Sequence, residues 1–175
     1  MSNNQFDLLK DKRFAPLFAT QFLGAFHDNL FKNALVVLLL YGASQSAAEV
    51  GIDTKILVTL ATGIFIVPFI LFSALGGQYA DKYPKDKVIR VIKVAEIAIG
   101  VSGAVALLSG SIVLQFFTLF ALGAQSAFFG PSKYSILPQH LEEKELIGGN
   151  ALLSTGTFLA ILVGTIVGAA FVTLK

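Results

Sequence analysis

Ionisable and amide side chains interrupt the first long apolar segment of this sequence. Gln21, Asp28 and Lys32 are seven and four residues apart, so on a helix they fall within about 40° of one face. A charge at the centre of a membrane helix raises the free energy of insertion by roughly 2.5–3.5 kcal/mol. It is retained only where it has a partner, faces a water-filled cavity or has a functional role. The spacing therefore predicts a polar strip turned away from lipid. An internal ion pair between Asp28 and Lys32 is an open alternative.

Two further charges, Lys93 and Glu96, lie three residues apart in the third apolar segment. Lys93 is open to two interpretations, a binding role or a side chain that reaches the membrane surface, whereas a structural role is simpler for Glu96. His27, beside Asp28, fits either a proton relay or helix packing. The sequence contains no nucleophile–base pair, phosphate-binding loop or cluster of metal ligands. We therefore expect no catalytic residue, no metal and no cofactor.

The composition excludes several classes of protein. The chain has 175 residues, of which 55% are hydrophobic and 14% are charged, whereas a soluble domain carries roughly 25% charged residues. An ordinary soluble enzyme and a disordered tail are thus excluded. A net charge of +2 is too small for a nucleic-acid-binding surface, and the absence of cysteine excludes disulfides and thiolate chemistry. The composition is typical of an integral membrane protein.

Five segments are long enough to cross a bilayer, whose core requires about 20 mostly apolar residues as helix. They predict an all-α membrane protein with a tail at residues 1–13 and spans at about 14–41, 56–80, 88–108, 112–130 and 146–174. We expect the fourth helix to stop at Pro131, because proline removes a backbone donor.

Lys and Arg are concentrated in the tail and in the loops after the second and fourth spans. The positive-inside rule therefore places the N-terminus and the 81–90 and 131–145 loops in the cytoplasm, with Lys55 on the opposite side. Five spans leave the C-terminus outside. The odd number of spans and the abrupt end predict that this sequence is part of a longer protein.

The loop after the second span reads Gly-Gln-Tyr-Ala-Asp-Lys-Tyr-Pro-Lys-Asp-Lys over residues 77–87. It resembles the major facilitator superfamily signature found between the second and third spans, with Pro84 where glycine is usual. Gly77 is expected to allow close helix contact, and Asp81 to cap a helix end or pair with a cation. Lys82 and Lys85 are expected to hold the loop in the cytoplasm. These four are the candidate gating residues.

Three further stretches resemble the bacterial lysophospholipid transporter family: Ala-Phe-His-Asp-Asn at 25–29, Gly-Pro-Ser-Lys-Tyr-Ser-Ile-Leu at 130–137 and Gly-Asn-Ala-Leu at 149–152. The sequence of these stretches is most similar to the transporter module that precedes acyltransferase and acyl-carrier-protein synthetase domains in fusion proteins. The resemblance implies five helices of the N-terminal six-helix half of a twelve-span transporter in the inner membrane. It also implies flipping of lysophospholipids, chiefly lysophosphatidylethanolamine, to the cytoplasmic leaflet for reacylation.

A zwitterionic headgroup requires both signs of charge, with Asp28 for the ammonium and Lys93 or Lys133 for the phosphate. The candidate substrate-binding residues are Asp28, Asn29, Lys32, Lys93, Lys133 and Tyr134. The expected partners are lysophospholipid, membrane lipids, the second transporter half and a fused or associated acyltransferase or synthetase, with no nucleic acid. Two other functions are open: a proton-coupled facilitator for a soluble solute or drug, and a membrane anchor for a fused acyltransferase without transport.

Overall fold

The computed structural model describes residues 5–41 and 51–173. Residues 1–4 of the predicted tail and the last residue of the predicted fifth span lie outside the described residues. The described residues form five helices long and apolar enough to cross a membrane, and they contain no strand, so the all-α prediction is confirmed. These helices are α1 (Ala15–Tyr41), α2 (Thr54–Lys82), α3 (Lys85–Ser109), α4 (Ile112–Ser135) and α5 (Glu143–Thr173).

Local sequence signals set several helix ends. The Asp53 side chain accepts a hydrogen bond from the Lys55 backbone N–H at 2.7 Å and caps the start of α2. Ser111 does the same for α4, accepting from Leu114 at 3.4 Å. Gly110 ends α3 with a φ of 68°, a left-handed conformation that glycine adopts without a steric penalty. As a result, α3 and α4 form a tight antiparallel hairpin.

The prediction that the fourth helix stops at Pro131 is wrong. Helix α4 continues through Pro131 and ends at Ser135, so Lys133 is a helical residue. A proline this close to a helix C-terminus removes one backbone donor and leaves most of the helix undisturbed. Lys133 therefore has a fixed direction relative to the residues one and two turns earlier on α4.

Helices α1 and α5 form one closely packed pair, and α2 and α4 form another, with α3 packed against α4. Glycine makes these close approaches possible. A Cβ on Gly164 would lie 2.5 Å from the Phe26 backbone oxygen, and Gly168 faces the Leu30 backbone in the same way. The Gly-x-x-x-Gly pattern in α5 is therefore used for packing within the chain.

In the second pair, the close contact is made by Gly76 rather than by the predicted Gly77. A Cβ on Gly76 would lie 2.8 Å from the Ala127 backbone oxygen, whereas a Cβ on Gly77 would have no neighbour within 4 Å among the described residues. One residue along a helix turns the side-chain direction by about 100°, so only one of two adjacent glycines can face α4. The expectation that Gly77 mediates helix contact is thus wrong.

We expect Gly164→Ala to lower the free energy of unfolding by about 1–3 kcal/mol, because the added methyl group overlaps the α1 backbone. Gly63→Ala is the matched control. It lies in α2 with open space around it, and alanine is the better helix former there. Thermal unfolding in lipid nanodiscs measures both variants. Equal stability of Gly164→Ala and the parent would contradict the close α1–α5 contact.

Two apolar clusters lie at opposite ends of α1. One contains Phe31 and Leu35 of α1 with Leu119 and Leu122 of α4. The other joins Phe14 to Leu8, in the 3-10 helix Gln5–Lys10, and to leucines of α5 and of the one-turn helix Leu137–His140. The middle of α1, including Asp28, therefore lies between two well-packed regions that hold it in place.

Arg13 ties the N-terminal segment to the connection before α5. Its guanidinium lies 2.6 Å from the Asp11 carboxylate and 3.4 Å from that of Glu145, and it donates to the His140 carbonyl at 3.2 Å. Hydrogen bonding to Arg13 lowers the pKa of Asp11, and the same contact raises the pKa of Arg13. Because the pKa of Asp11 is depressed on folding, the contribution of the Asp11–Arg13 contact is present at neutral pH and is lost only as the pH falls into the acidic range.

Candidate substrate cavity

A cavity of about 290 Å³ lies between α1, α3, α4 and α5. Of the predicted substrate-binding residues, Asp28, Asn29, Lys93 and Lys133 line it. The other polar side chains that line it belong to residues that were predicted to have a structural role or were not selected as site residues. All of its lining residues belong to the five long helices, so the cavity is lined by spans rather than by loops.

Asp28 is buried, with 5% of its surface exposed. One carboxylate oxygen, Oδ2, accepts a hydrogen bond from the Ser126 hydroxyl at 2.6 Å. The other, Oδ1, lies 3.8 Å from His27 Nδ1, and neither atom has a hydrogen-bond partner among the described residues. A buried carboxylate oxygen without a donor is costly, so Oδ1 is the natural contact for a cationic ligand.

The alternative ion pair between Asp28 and Lys32 is not formed in the described residues. The Lys32 ammonium instead donates to Asn29 Oδ1 at 3.1 Å and lies 5.1 Å from the centre of the Phe65 ring. Lys32 does not line the cavity, although it shares a helix face with Asp28. The negative charge of Asp28 is left for another partner.

Lys93 and Glu96 form an ion pair with a nitrogen–oxygen distance of 2.7 Å. The Lys93 ammonium also donates to the Thr20 backbone oxygen at 3.1 Å and lies 3.9 Å from the centre of the Phe129 ring. Its charge is thus already compensated, and it ties α3 to α1. This pairing favours a structural role for Lys93 over direct contact with phosphate.

Gln125 and Ser126 of α4 connect this ion pair to Asp28. The Gln125 amide donates to Glu96 Oε2 at 2.7 Å, and its Oε1 lies 3.1 Å from the Ser126 hydroxyl. Since that hydroxyl has one proton, it donates to Asp28 or to Gln125 at any moment. The sequence prediction missed both residues. Their signal was a glutamine–serine pair in a mostly apolar span whose other polar side chains are Gln115 and Thr118.

Helix α5 closes the cavity through two hydrogen bonds from amide side chains of α1. The Gln21 amide donates to Thr157 Oγ1 at 2.8 Å, and the Asn33 amide donates to Thr165 Oγ1 at 3.1 Å. Gln21 belongs to the polar face of α1 that the sequence predicted, whereas Asn33 lies on an adjacent face. These bonds fix the rotation of α5 about its axis and, with it, the wall formed by Thr157.

Lys133 is half-buried in the cavity wall, and within the described residues it forms no ion pair. Its ammonium lies 5.0 Å from the centre of the Tyr134 ring. Tyr134 itself is 44% exposed and does not line the cavity. Side chains on a helix lean towards its N-terminus, so Lys133 reaches back towards Ser126. The cavity thus holds an uncompensated cation as well as the free oxygen of Asp28.

The predicted gating residues lie at the corner between α2 and α3, away from the cavity. Asp81 is exposed in the last turn of α2, and in the described residues it caps no helix and pairs with no cation. Lys82 lies over the Tyr83 ring at 5.6 Å, and Lys85 begins α3. The capping prediction for Asp81 is therefore wrong, because α2 ends at the extended residue Tyr83 and α3 begins after Pro84. Residues 5–41 and 51–173 contain no group of three metal-ligating side chains.

Five long apolar helices around a buried polar cluster define a multi-pass helical membrane protein. Comparison with curated proteins gives the family. The chain is 31% identical over 150 residues to the lysophospholipid transporter LplT of Enterobacter sp. (strain 638), which covers 86% of this chain and 34% of that protein. It is 30% identical to the proteins of the same name from Photorhabdus laumondii (85% and 34% covered) and Serratia proteamaculans (85% and 33% covered).

The predicted relationship to the lysophospholipid transporter family is thereby confirmed. The chain spans about a third of the length of these relatives. No family model matches the sequence, and no solved structure matches it.

Proposed function

We propose that this chain is part of a transporter that flips lysophospholipids across the bacterial inner membrane to the cytoplasmic leaflet. The observation that supports it is the cavity itself, which is lined by the buried carboxylate residue Asp28 and by Lys133, a residue with no ion pair among the described residues. The transporter relatives support the same function.

The two charges are complementary to a phosphoethanolamine headgroup. Asp28 accepts hydrogen bonds from the ammonium, and Lys133 binds the phosphate. Ser126, the hydrogen-bond partner of Asp28, is seven residues before Lys133 on α4, which is about 10 Å along the helix axis. The flexible Lys133 side chain shortens this separation by leaning back along the helix. Asn29 adds an amide to the same wall.

A flip assay on the complete protein in proteoliposomes tests this function. Fluorescent lysophosphatidylethanolamine is added to one leaflet, and its removal by albumin is followed with time. Protein-dependent loss of extractable lipid, with no uptake of a labelled sugar or a cationic dye, is expected. Dye or sugar uptake driven by a pH gradient would instead establish the soluble-solute facilitator. If neither activity is observed, only the membrane-anchor function remains.

We also propose a cytoplasmic N-terminus and cytoplasmic loops at 81–90 and 131–145, based on the Lys and Arg distribution. The chain has no cysteine, so single cysteines report topology directly. With an impermeant thiol reagent applied to intact cells, Lys55→Cys is expected to react and Lys85→Cys to react only after the membrane is opened. Lys55 lies in the first turn of α2, and Lys85 lies just beyond the other end of α2, where α3 begins. Labelling of Lys85→Cys in intact cells would reverse the orientation.

Delivery to the cytoplasmic leaflet makes the product available for reacylation. The reaction class that consumes it is acyl transfer to the free glycerol hydroxyl. We propose that an acyltransferase that performs this reaction, an acyl-carrier-protein synthetase that supplies its acyl thioester, or both are fused to or associated with the complete protein, as the family resemblance implies. The second transporter half is the other expected partner, because substrate sites in such folds lie between the two halves.

A further inference from the structure

A second cavity, of about 540 Å³, adjoins the polar one. It is a groove between the end of α2, the first half of α3 and α4, and its walls are almost entirely apolar. Tyr79, Val91, Ile92 and Phe128 form much of the surface, and Val91 is 69% exposed, so the groove opens towards the outside of the bundle. Its volume falls within the range of about 300–1,000 Å³ that is typical of small-molecule sites.

Gln125 is the wall shared by the two cavities. It lines both, and it is 8% exposed. On the polar side its amide donates to Glu96, while on the other side Ile92 and Phe128 line the groove with it. One side chain therefore separates a space that carries both signs of charge from a space that is apolar.

We propose that this groove binds the acyl chain of a single-chain phospholipid whose headgroup occupies the polar cavity. The inference rests on the proposed function and extends it to a second subsite. An amphiphile with one charged end and one apolar tail matches the adjoining polar and apolar spaces. A soluble solute would leave the groove unused, and a two-chain lipid would need a second groove of the same kind.

The size of the groove also favours an acyl chain over an α-helix as its occupant. A helix is about 10 Å across with its side chains, so 540 Å³ corresponds to about one turn of it. An extended hydrocarbon of the same volume is many carbons long. The groove begins near Lys87, at the end of the bundle with the predicted cytoplasmic loop. An acyl chain in it would therefore lie in the leaflet to which we propose the lipid is delivered.

Filling part of the groove should weaken the dependence of binding on acyl-chain length. Ala95 lines the groove, whereas Ala98, also on the exposed part of α3, lines neither cavity, so Ala95→Phe and Ala98→Phe add the same bulk at a test and a control position. Binding of octanoyl and palmitoyl lysophosphatidylethanolamine to the complete protein in nanodiscs is measured for both. Each buried methylene raises affinity by about fourfold. We expect Ala95→Phe to lose at least about tenfold in affinity for the palmitoyl lipid, with octanoyl binding unchanged and Ala98→Phe like the parent.

Unchanged palmitoyl affinity in a folded Ala95→Phe protein would overturn the groove assignment. If Ala95→Phe does not fold, the parent protein decides the question with a lysophosphatidylethanolamine that carries a diazirine in its acyl chain. Labelling of Val91 or Phe128 is expected. Labelling confined to other helices, or equal labelling by a two-chain lipid with the same diazirine, would overturn the proposal. Absence of any lysolipid binding would overturn the proposed function itself. Lysolipid binding that labels residues outside the groove would reject only the assignment of the groove as the acyl-chain site.

Discussion

Asp28→Asn is expected to reduce lysophospholipid transport by the complete protein at least tenfold, a loss of about 1.4 kcal/mol or more in transition-state stabilisation. Asparagine retains the volume of Asp28 and an oxygen that can accept the Ser126 hydrogen bond, so the helix contact is preserved. It removes the negative charge of a carboxylate whose Oδ1 has no hydrogen-bond partner among the described residues. The initial rate of flipping in proteoliposomes measures the effect.

Asp7→Asn is the matched control for this variant. Asp7 is an exposed residue of the N-terminal 3-10 helix and does not line the polar cavity. The same chemical change there should leave the flipping rate at the parent value. Full activity in Asp28→Asn, at equal amounts of inserted protein, would reject a charge-based role for Asp28.

Lys93→Gln is expected to lower the free energy of unfolding by about 3 kcal/mol. Side chains in this ion pair are only 18% and 13% exposed, so loss of the lysine leaves the Glu96 carboxylate in a poorly solvated site without its cation. The same change also removes the hydrogen bond to Thr20 and the contact with the Phe129 ring. Thermal unfolding in nanodiscs, with the lipid composition held constant, measures this loss.

The double variant Lys93→Gln with Glu96→Gln tests the reason for that loss. It removes both charges, so it should recover a large part of the stability that Lys93→Gln loses. Lys87→Gln on the exposed part of α3 is the control for loss of a lysine alone and should change stability little. A double variant no more stable than Lys93→Gln would mean that the ion pair is not the source of the effect.

The five helices were predictable from the sequence because membrane insertion depends on local hydropathy. The inward direction of Asp28 was predictable for a related reason: the helical period alone places it with Gln21, and both are buried. The Lys93–Glu96 pair was also visible, since residues three apart on a helix are neighbours.

The partners of these groups were not predictable, because they depend on how closely the helices approach one another. Asp28 bonds Ser126, 98 residues away in sequence, instead of Lys32 on its own helix. The Glu96–Gln125 contact likewise requires α3 and α4 to be side by side. Gly76 and Gly77 show the same limit, since hydropathy and motif similarity do not tell which of two adjacent glycines faces α4.

The central claim is that one cavity binds both charges of the headgroup. Electron cryomicroscopy of the complete protein with bound lysophosphatidylethanolamine tests it most directly. We expect the ammonium within hydrogen-bonding distance of the Asp28 carboxylate and the phosphate within reach of the Lys133 ammonium, between α1 and α4. A headgroup bound elsewhere, with Asp28 contacted only by Ser126 and His27, would contradict it.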